Sequence, residues 1–538
     1  MKYKSLSIIF ILLLTSTTIL FAQAPTLGRV ADFVLFSKAG AVTNTGTSHI
    51  TGNVGTNSGS STGFGNVNGV MADGGPLSAQ CANDLLLVYN QLNSAVATFH
   101  PSNLLGNGQI LVPGVYSIGS AATLNLDLIL DGQNNANAVF IFQIQGSFST
   151  SASAKVKLIN GTQACNVFWK VEGLVSMATK TKMCGTVIAN NAAINMNTLD
   201  TLEGRALSTA GAVTLNGIMA YTPIGCGSPV LNGPAAPNLA STACYAIFSS
   251  NGAVSNSGVT YVTGDVGTNT GLTTGFDTAY VTGTVHTIPD TSTAHCAADL
   301  TNIYNYLNTL PVDIKLLYPA QFGNNLVLTP HTYLLDAATV FTDTLCLNAQ
   351  GNSSAVFVIK INGALSTSTY STVQLINGTQ AKNVYWKIEG AVSLNNYSVF
   401  CGTIVCNNGA LGALHTGVRI DGRMLNTTGA LTTEAITATI PSACGLTGLN
   451  EITGNAAINV VRIYPNPFKV SLDIVFNTSE PVKARLQLFN SVGAEIMSTT
   501  ISNQSTRIST SNFPPGIYFY KITGDNIITQ TGRLVSQQ

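Results

Sequence analysis

The chain has 538 residues, room for two or three independently folding domains. Only 9% of them are charged, and 23 Lys and Arg balance 23 Asp and Glu. So weak a field lacks the basic stripe that nucleic acid requires and the Lys/Arg cluster that an anionic membrane requires, and both are excluded as partners.

Residues 1–22 read as a secretory signal peptide: Lys2 and Lys4 precede an apolar run from Leu6 to Leu14, and Ala22 or Ala24 offers a small residue for cleavage. No later stretch approaches the roughly 20 apolar residues of a membrane crossing, so the mature chain is expected to have no transmembrane segment. It leaves the cytoplasm for the medium or the outer cell surface.

Beyond this segment the first half of the chain recurs in the second. Val54-Gly55-Thr56-Asn57 returns as Val266-Gly267-Thr268-Asn269, Leu158 to Ala164 as Leu375 to Ala381, and Asn166 to Lys170 as Asn383 to Lys387. Cys184-Gly185-Thr186 answers to Cys401-Gly402-Thr403, and both tryptophans, Trp169 and Trp386, occupy one matched strand. The boundaries follow: domain 1 over 25–227, a linker over 228–238, domain 2 over 239–446, a second linker over 447–459 and a tail domain over 460–538.

Within each copy, short runs with period-2 alternation are broken by Gly, Asn and Ser. Leu124, Leu126, Leu128 and Leu130 share one parity, Val167, Trp169 and Val171 the other, and Val213 with Leu215 alternate in the same way near the end. One element departs from this: Leu77, Cys81, Leu85, Val88, Leu92 and Val96 recur at helical spacing, as do Cys296, Leu300, Ile303, Leu307 and Leu310. Each copy therefore carries one amphipathic helix, its stripe read as core packing. The ten cysteines imply disulfides in an oxidising compartment; Cys165 and Cys184 are spaced to stack on neighbouring coils, but the pairing stays open. No Cys-x-x-Cys pair or nearby His marks a metal site, Cys401 and Cys406 being the weak exception. No cofactor is expected. The tail opens at Tyr464-Pro465-Asn466-Pro467-Phe468 and alternates from Ala484 to Phe489 and Gly516 to Tyr520, a pattern for a small β-sandwich.

Several blocks in order carry a resemblance. Gly40 to Gly46, Thr51 to Gly55, Leu111 to Tyr116, Ala138 to Ile144, the Leu-Ile-Asn-Gly block, Asn166 to Lys170 and Gly204 to Leu207 resemble the microbial ice-binding proteins. That resemblance implies a mainly β fold: two irregular right-handed β-helices (solenoids), each with one long flanking α-helix. The tail resembles the C-terminal sorting domain of the type nine secretion system through Tyr464 to Phe468, Pro515 to Tyr518 and Gly532 to Val535. The implied partners are an ice crystal surface and the outer-membrane secretion machinery.

A receptor for ice should be flat, stiff, weakly charged and regularly spaced, and a β-solenoid supplies rungs ~4.8 Å apart. Threonine suits such a face, because its branched Cβ restricts χ1 and lowers the entropy lost on docking. Along Ala41 to Asn53, Val42 and Ile50 take the inward parity, which leaves Thr43, Thr45, Thr47, His49 and Thr51 outward. The counterpart reads Ser255, Ser257, Val259, Tyr261 and Thr263, with Tyr261 protruding, so the first copy is expected to bind more strongly. Other outward candidates are Ser149, Ser151, Thr179, Thr181, Asn195, Asn197 and Thr214.

Catalysis finds little support. Acidic residues are sparse, Asp127 aligned with Asp343 reads as a turn residue, and no His-Glu-x-x-His helix exists. Gly59-Ser60-Ser61-Thr62-Gly63 matches a nucleophile pattern, yet its counterpart Gly271 to Gly275 lacks the serine. No catalytic residue and no metal ligand is assigned. The alternative to ice is a cell-surface adhesin or matrix-binding protein on the same fold.

Overall fold

The computed structural model describes residues 22–226, 230–441, 461–476, 484–491, 493–524 and 527–537. The signal-peptide segment 1–21 and the linker 447–459 lie outside the described residues.

In the first copy the short alternating runs stack as parallel rungs in one 13-stranded and one 8-stranded sheet. The route explains the helix. Strands Phe33–Ser37, Val42–Thr45, His49–Thr51, Asn53–Thr56, Ser61–Thr62 and Met71–Asp73 build one end. Helix α1 (Gly75–Ser94) then runs along the side, and Leu104–Gly106 starts the other end. Successive rungs climb back until Val213–Asn216 pairs with Val42–Thr45, Thr43 opposite Thr214. Twenty helical residues span ~30 Å, and the seven rung steps across eight strands take ~34 Å, so the helix is as long as the stack it must return along. The second copy repeats the plan with 14- and 8-stranded sheets and helix α2 (Thr291–Thr309).

Pro76 in the first turn opens α1 after Gly74 at φ 67°, and Asp290 opens α2 through a capping box with Thr293. Cys81, Leu85, Val88 and Leu92 pack on Phe33, Phe36, Ile141, Phe168, Ile188 and Leu207, one outward stretch of the 13-stranded sheet. The last expected stripe residue, Val96, is 84% exposed, because the helix stops at Ser94. Gln143 Nε2 donates to the carbonyls of Leu92 (2.8 Å) and Ala95 (2.7 Å) and so closes the helix end. Lys360 does the same in the second copy, donating to Asn308 and Leu310 (both 2.9 Å).

The interior is apolar, and its centre is a stack of rings on successive rungs, Tyr116 on Phe142 on Trp169. Leu124, Leu128 and Leu130 point inward as expected, but Leu126 does not: at φ 53° it turns the corner between two faces and is 59% exposed. The corner turns the chain onto a new face, and the inward parity resumes at Leu128. Cys165 pairs with Cys226 and not with Cys184, whose thiol approaches the Val156 carbonyl (3.6 Å). Cys165 sits in the 3-10 turn Ala164–Asn166 before its strand while Cys184 lies within Lys182–Ala189, so the two do not share a rung position. Cys244 is also disulfide-bonded.

The copies join end to end. Asn66 Nδ2 donates to the carbonyls of Tyr318 (2.9 Å) and Gln321 (3.3 Å), and its Oδ1 accepts the Tyr318 N–H (2.9 Å). Buried Asn68 donates to the Thr329 hydroxyl (3.1 Å) and accepts from that of Tyr333 (2.7 Å). The connecting segment is strapped to the second copy, where the Val356 N–H donates to Asn232 O (2.8 Å) and the Tyr306 hydroxyl to Ala235 O (2.7 Å). Gly46 to Ser48, the corner leaving the 8-stranded sheet of the first copy, faces Gly323 to Asn325, the same corner of the second, across a cleft of about 620 Å³. Because like corners abut, the two 8-stranded sheets lie on one side of the pair.

The tail domain is antiparallel. Val461–Tyr464, Ser471–Phe476 and Ser505–Ser509 form one sheet, and Glu495–Ile501, Ala484–Phe489, Gly516–Gly524 and Ile527–Ser536 the other. Phe468, Leu472, Ile474, Leu486, Leu488 and Ile522 fill the space between them.

Candidate functional site

The first solenoid presents three outward faces. Helix α1 covers one. A second carries Asp127, Lys155, Lys182, Thr201, Met219 and His49 in register, with Asp127 paired to Lys157 at 2.6 Å. The third is the 8-stranded sheet, and none of its strands contains a charged residue.

On that sheet one outward column crosses every rung. Thr62, Thr43, Thr214, Asn195, Ser176, Ser149, Thr123 and Leu104 stand side by side in register, without a bulge. Rung stacking sets their spacing at ~4.8 Å. Neighbours hold each other: Thr214 Oγ1 donates to Asn195 Oδ1 (2.6 Å), and the hydroxyls of Thr123 and Ser149 share a 3.1 Å bond. Beneath lie Val42, Val213, Ile194, Val175 and Phe148, all buried, so the column rests on a packed floor. A second column begins with Thr45 beside Asn216 and continues through Asn197 and Ser151 just past their strands.

Of the residues singled out in the sequence, Thr43, Thr214, Asn195 and Ser149 therefore meet in one column and Thr45, Asn197 and Ser151 flank it. Four do not join them. Thr47 lies in the corner after Val42–Thr45, and Thr51 belongs to His49–Thr51, which pairs with Met219–Tyr221 on the charged face. Thr179 is exposed in a turn. Thr181 is fully buried, its hydroxyl donating to Ala178 O (2.6 Å) and bonded to the Thr150 hydroxyl (2.7 Å). The four share one cause: a corner, where the chain changes face, stands between them and the column.

Thr62, Thr123, Ser176 and Asn216 were missed, although a signal existed. Ala-Val-Thr at 41–43 and 212–214, Ala-Ile-Asn at 193–195, Leu-Val-Ser at 174–176, Ser-Phe-Ser at 147–149 and Ala-Ala-Thr at 121–123 are one recurring triplet, an outward residue, a buried one and a polar one. Ala-Val-Ser at 253–255 and Ala-Leu-Thr at 430–432 continue it in the second copy.

The second 8-stranded sheet is less regular. Thr274, Ser255, Thr432, Ser393, Ser366 and Val340 follow its outward column, but the register shifts between Leu411 and Leu414, where Gly412 stands. Glu434 adds a charge beside Ser257. The first copy has its own bump, Leu174, 43% exposed where the second copy has Ala391. Tyr261, the expected obstacle, is not on this sheet at all: it lies in Tyr261–Thr263 of the 14-stranded sheet, edge-on to Tyr280. The expectation that it weakens the second copy's face loses its ground.

A family model described as ice-binding-like matches residues 36–220 and 248–439. The chain belongs to the ice-binding-like family. A crystal structure of an ice binding protein from an Antarctic bacterium, Flavobacteriaceae, is 59% identical, with a TM-score of 0.77, and covers 79% of this chain and 100% of that one. An ice-binding protein of Nostoc sp. (strain HG1) is 35% identical over 199 residues, 36% of this chain and 73% of that protein. One of Colwellia sp is 31% identical over 209 residues, 35% of this chain and 80% of that protein. Residues 462–537 match a secretion system C-terminal sorting domain, which makes this ice-binding-like chain a secreted or cell-surface protein.

The titratable groups at the edge and corners of the first 8-stranded sheet hold backbone in place. Among the described residues no group of three His, Cys, Asp or Glu side chains could hold a metal ion. Ser61, in the nucleophile-like pentapeptide, donates through both N–H and hydroxyl to Asp73 (2.6 Å each). Asp200 ties the face to the next corner, accepting the N–H groups of Asn197 (2.7 Å) and Thr181 (2.9 Å). Burial pushes its carboxyl up to about 6, and the two backbone N–H groups only partly oppose this. An acid whose pKa is raised by folding takes up its proton in the folded state first, so its stability contribution is present below the unfolded value and lost as pH rises through about 6. The melting midpoint of the chain relative to Asp200→Asn should therefore climb as pH falls from 7 to 4. A difference that stays flat across that window would show that Asp200 is not the titrating group.

Proposed function

We propose that the chain adsorbs to ice through the 8-stranded face of each solenoid, which in the first solenoid carries no charge. The observation that carries this is the unbroken column from Thr62 to Thr123, small hydroxyl and amide side chains on seven successive rungs with no charge on the sheet. Ice has no net charge and a repeating array of oxygens, so a receptor gains by repetition and flatness, and neighbouring hydroxyls that already hold one another lose little entropy on docking. The relatives' names as ice-binding proteins support the same reading. No catalytic group is required, and the sorting domain supplies contact with the secretion machinery. The test is direct: the fluorescently labelled mature chain should coat a growing ice crystal and keep grains small in a recrystallisation assay. A crystal that excludes the label would end the proposal.

Because both faces point to one side of the hydrogen-bonded pair, the second contact is intramolecular once the first has formed. The tandem should then halt grain growth at a concentration about a hundredfold below that of an equimolar mixture of the separated solenoids. Equal potency would mean that only one face engages at a time.

A further inference from the structure

We infer that the second solenoid carries a docking site for a neutral polysaccharide at the corner beside its flat face, a role independent of ice. In both solenoids this corner is turned by residues in the left-handed region, a conformation unfavourable for any residue with a Cβ. The first copy meets the requirement with Ser153 (φ 61°) and Lys180 (φ 65°). The second places Tyr370 (φ 62°) and Tyr397 (φ 59°) there, 68% and 48% exposed. Neither ring contributes to the core, so burial does not account for two aromatics at strained, exposed positions.

Their arrangement suits a flat ligand. The rings are stacked, with centroids 5.1 Å apart and planes 12° from parallel. Tyr397 also lies over Gly417, where an added Cβ would meet its ring at 2.4 Å, so both its faces are occupied. The far face of Tyr370 is open and looks along the corner to the next rung, which bears Asp343 (φ 58°). Asn325 Nδ2 donates to Asp343 Oδ2 (3.0 Å), and both residues line the cleft between the solenoids. An apolar ring face followed by a carboxylate and an amide is the complement of a pyranose, which offers C–H groups on its faces and hydroxyls around its rim. On the opposite side of the ring pair from Asp343, Tyr261, 53% exposed, stands four rungs or ~19 Å from Tyr370, within reach of the same extended chain. Two rings are far too small for a protein partner, which needs ~800 Å² per side, but they match one sugar of a repeating polymer. The weak field of the chain favours a neutral polymer over a charged one.

The test uses the full mature chain with cellohexaose, laminarihexaose and maltohexaose as neutral probes and an alginate hexamer as the charged one, read by saturation-transfer NMR and titration. At least one neutral hexasaccharide should bind, Tyr370→Ala should weaken it about tenfold and Tyr370→Phe should keep it, while coating of ice stays as in the parent chain. Absence of binding by all three neutral probes at millimolar concentration would overturn the inference. So would binding that Tyr370→Ala and Tyr397→Ala leave unchanged, or binding of alginate alone.

Discussion

Thr214→Tyr in the first solenoid should abolish most of its ice adsorption while leaving the fold intact. Thr214 is central in the column, between Thr43 and Asn195, and its side chain is directed to solvent over buried Val213 and Leu215. A phenol there meets no core atom, so stability changes little. It does stand several ångströms above its neighbours. A gap of only 0.5–1 Å forfeits a quarter to a half of a dispersion contact, so a ring that props a rigid crystal away from the rungs on either side removes far more than one residue's share. Thermal hysteresis of the first solenoid should fall several-fold. Thr201→Tyr, the same change on the charged face, should leave it unaltered. If the two variants behave alike, the 8-stranded sheet is not the surface that meets ice.

Trp169→Ala should destabilise the first solenoid by about 3–5 kcal/mol, a large part of the 5–15 kcal/mol that holds a typical domain folded. Trp169 is fully buried, its ring centroid 3.9 Å from that of Phe142 and 5.3 Å from that of Phe148. Its Nε1 donates to the Cys184 carbonyl (3.0 Å), as Trp386 Nε1 does to Cys401 O (2.9 Å) in the second copy. Trp169→Phe keeps most of the volume and leaves that carbonyl without its side-chain donor, so a smaller loss of about 1–3 kcal/mol is expected. Function follows stability here, because Phe148 is the floor beneath Ser147 and Ser149 on the flat face. A protein that meets ice works near 0 °C, where the hydrophobic drive weakens and the dispersion contacts of a tight ring stack count for more. Chemical denaturation of the three chains measures the ranking; a Trp169→Ala loss below that of Trp169→Phe would refute it.

Much was legible along the chain. The internal repeat, the two helices and the alternating runs each depend on neighbours within one element, where side-chain period alone decides what is buried. Val42, Ile50, Val213 and Leu215 are inside for that reason, and Cys81, Leu85, Val88 and Leu92 face the sheet for the same one. The sequence by itself thus determined the rungs, their count of two solenoids and the small antiparallel tail. Which rungs make one surface was decided only by the tertiary structure. Thr43 and Thr214 are adjacent because the last coil closes on the first, and Thr43 is parted from Thr51 because Gly46 to Ser48 turn a corner between them. A flat face on a solenoid runs across coils, perpendicular to the chain. Its members are fixed by rung register and corner positions, neither of which alternation along a single strand records.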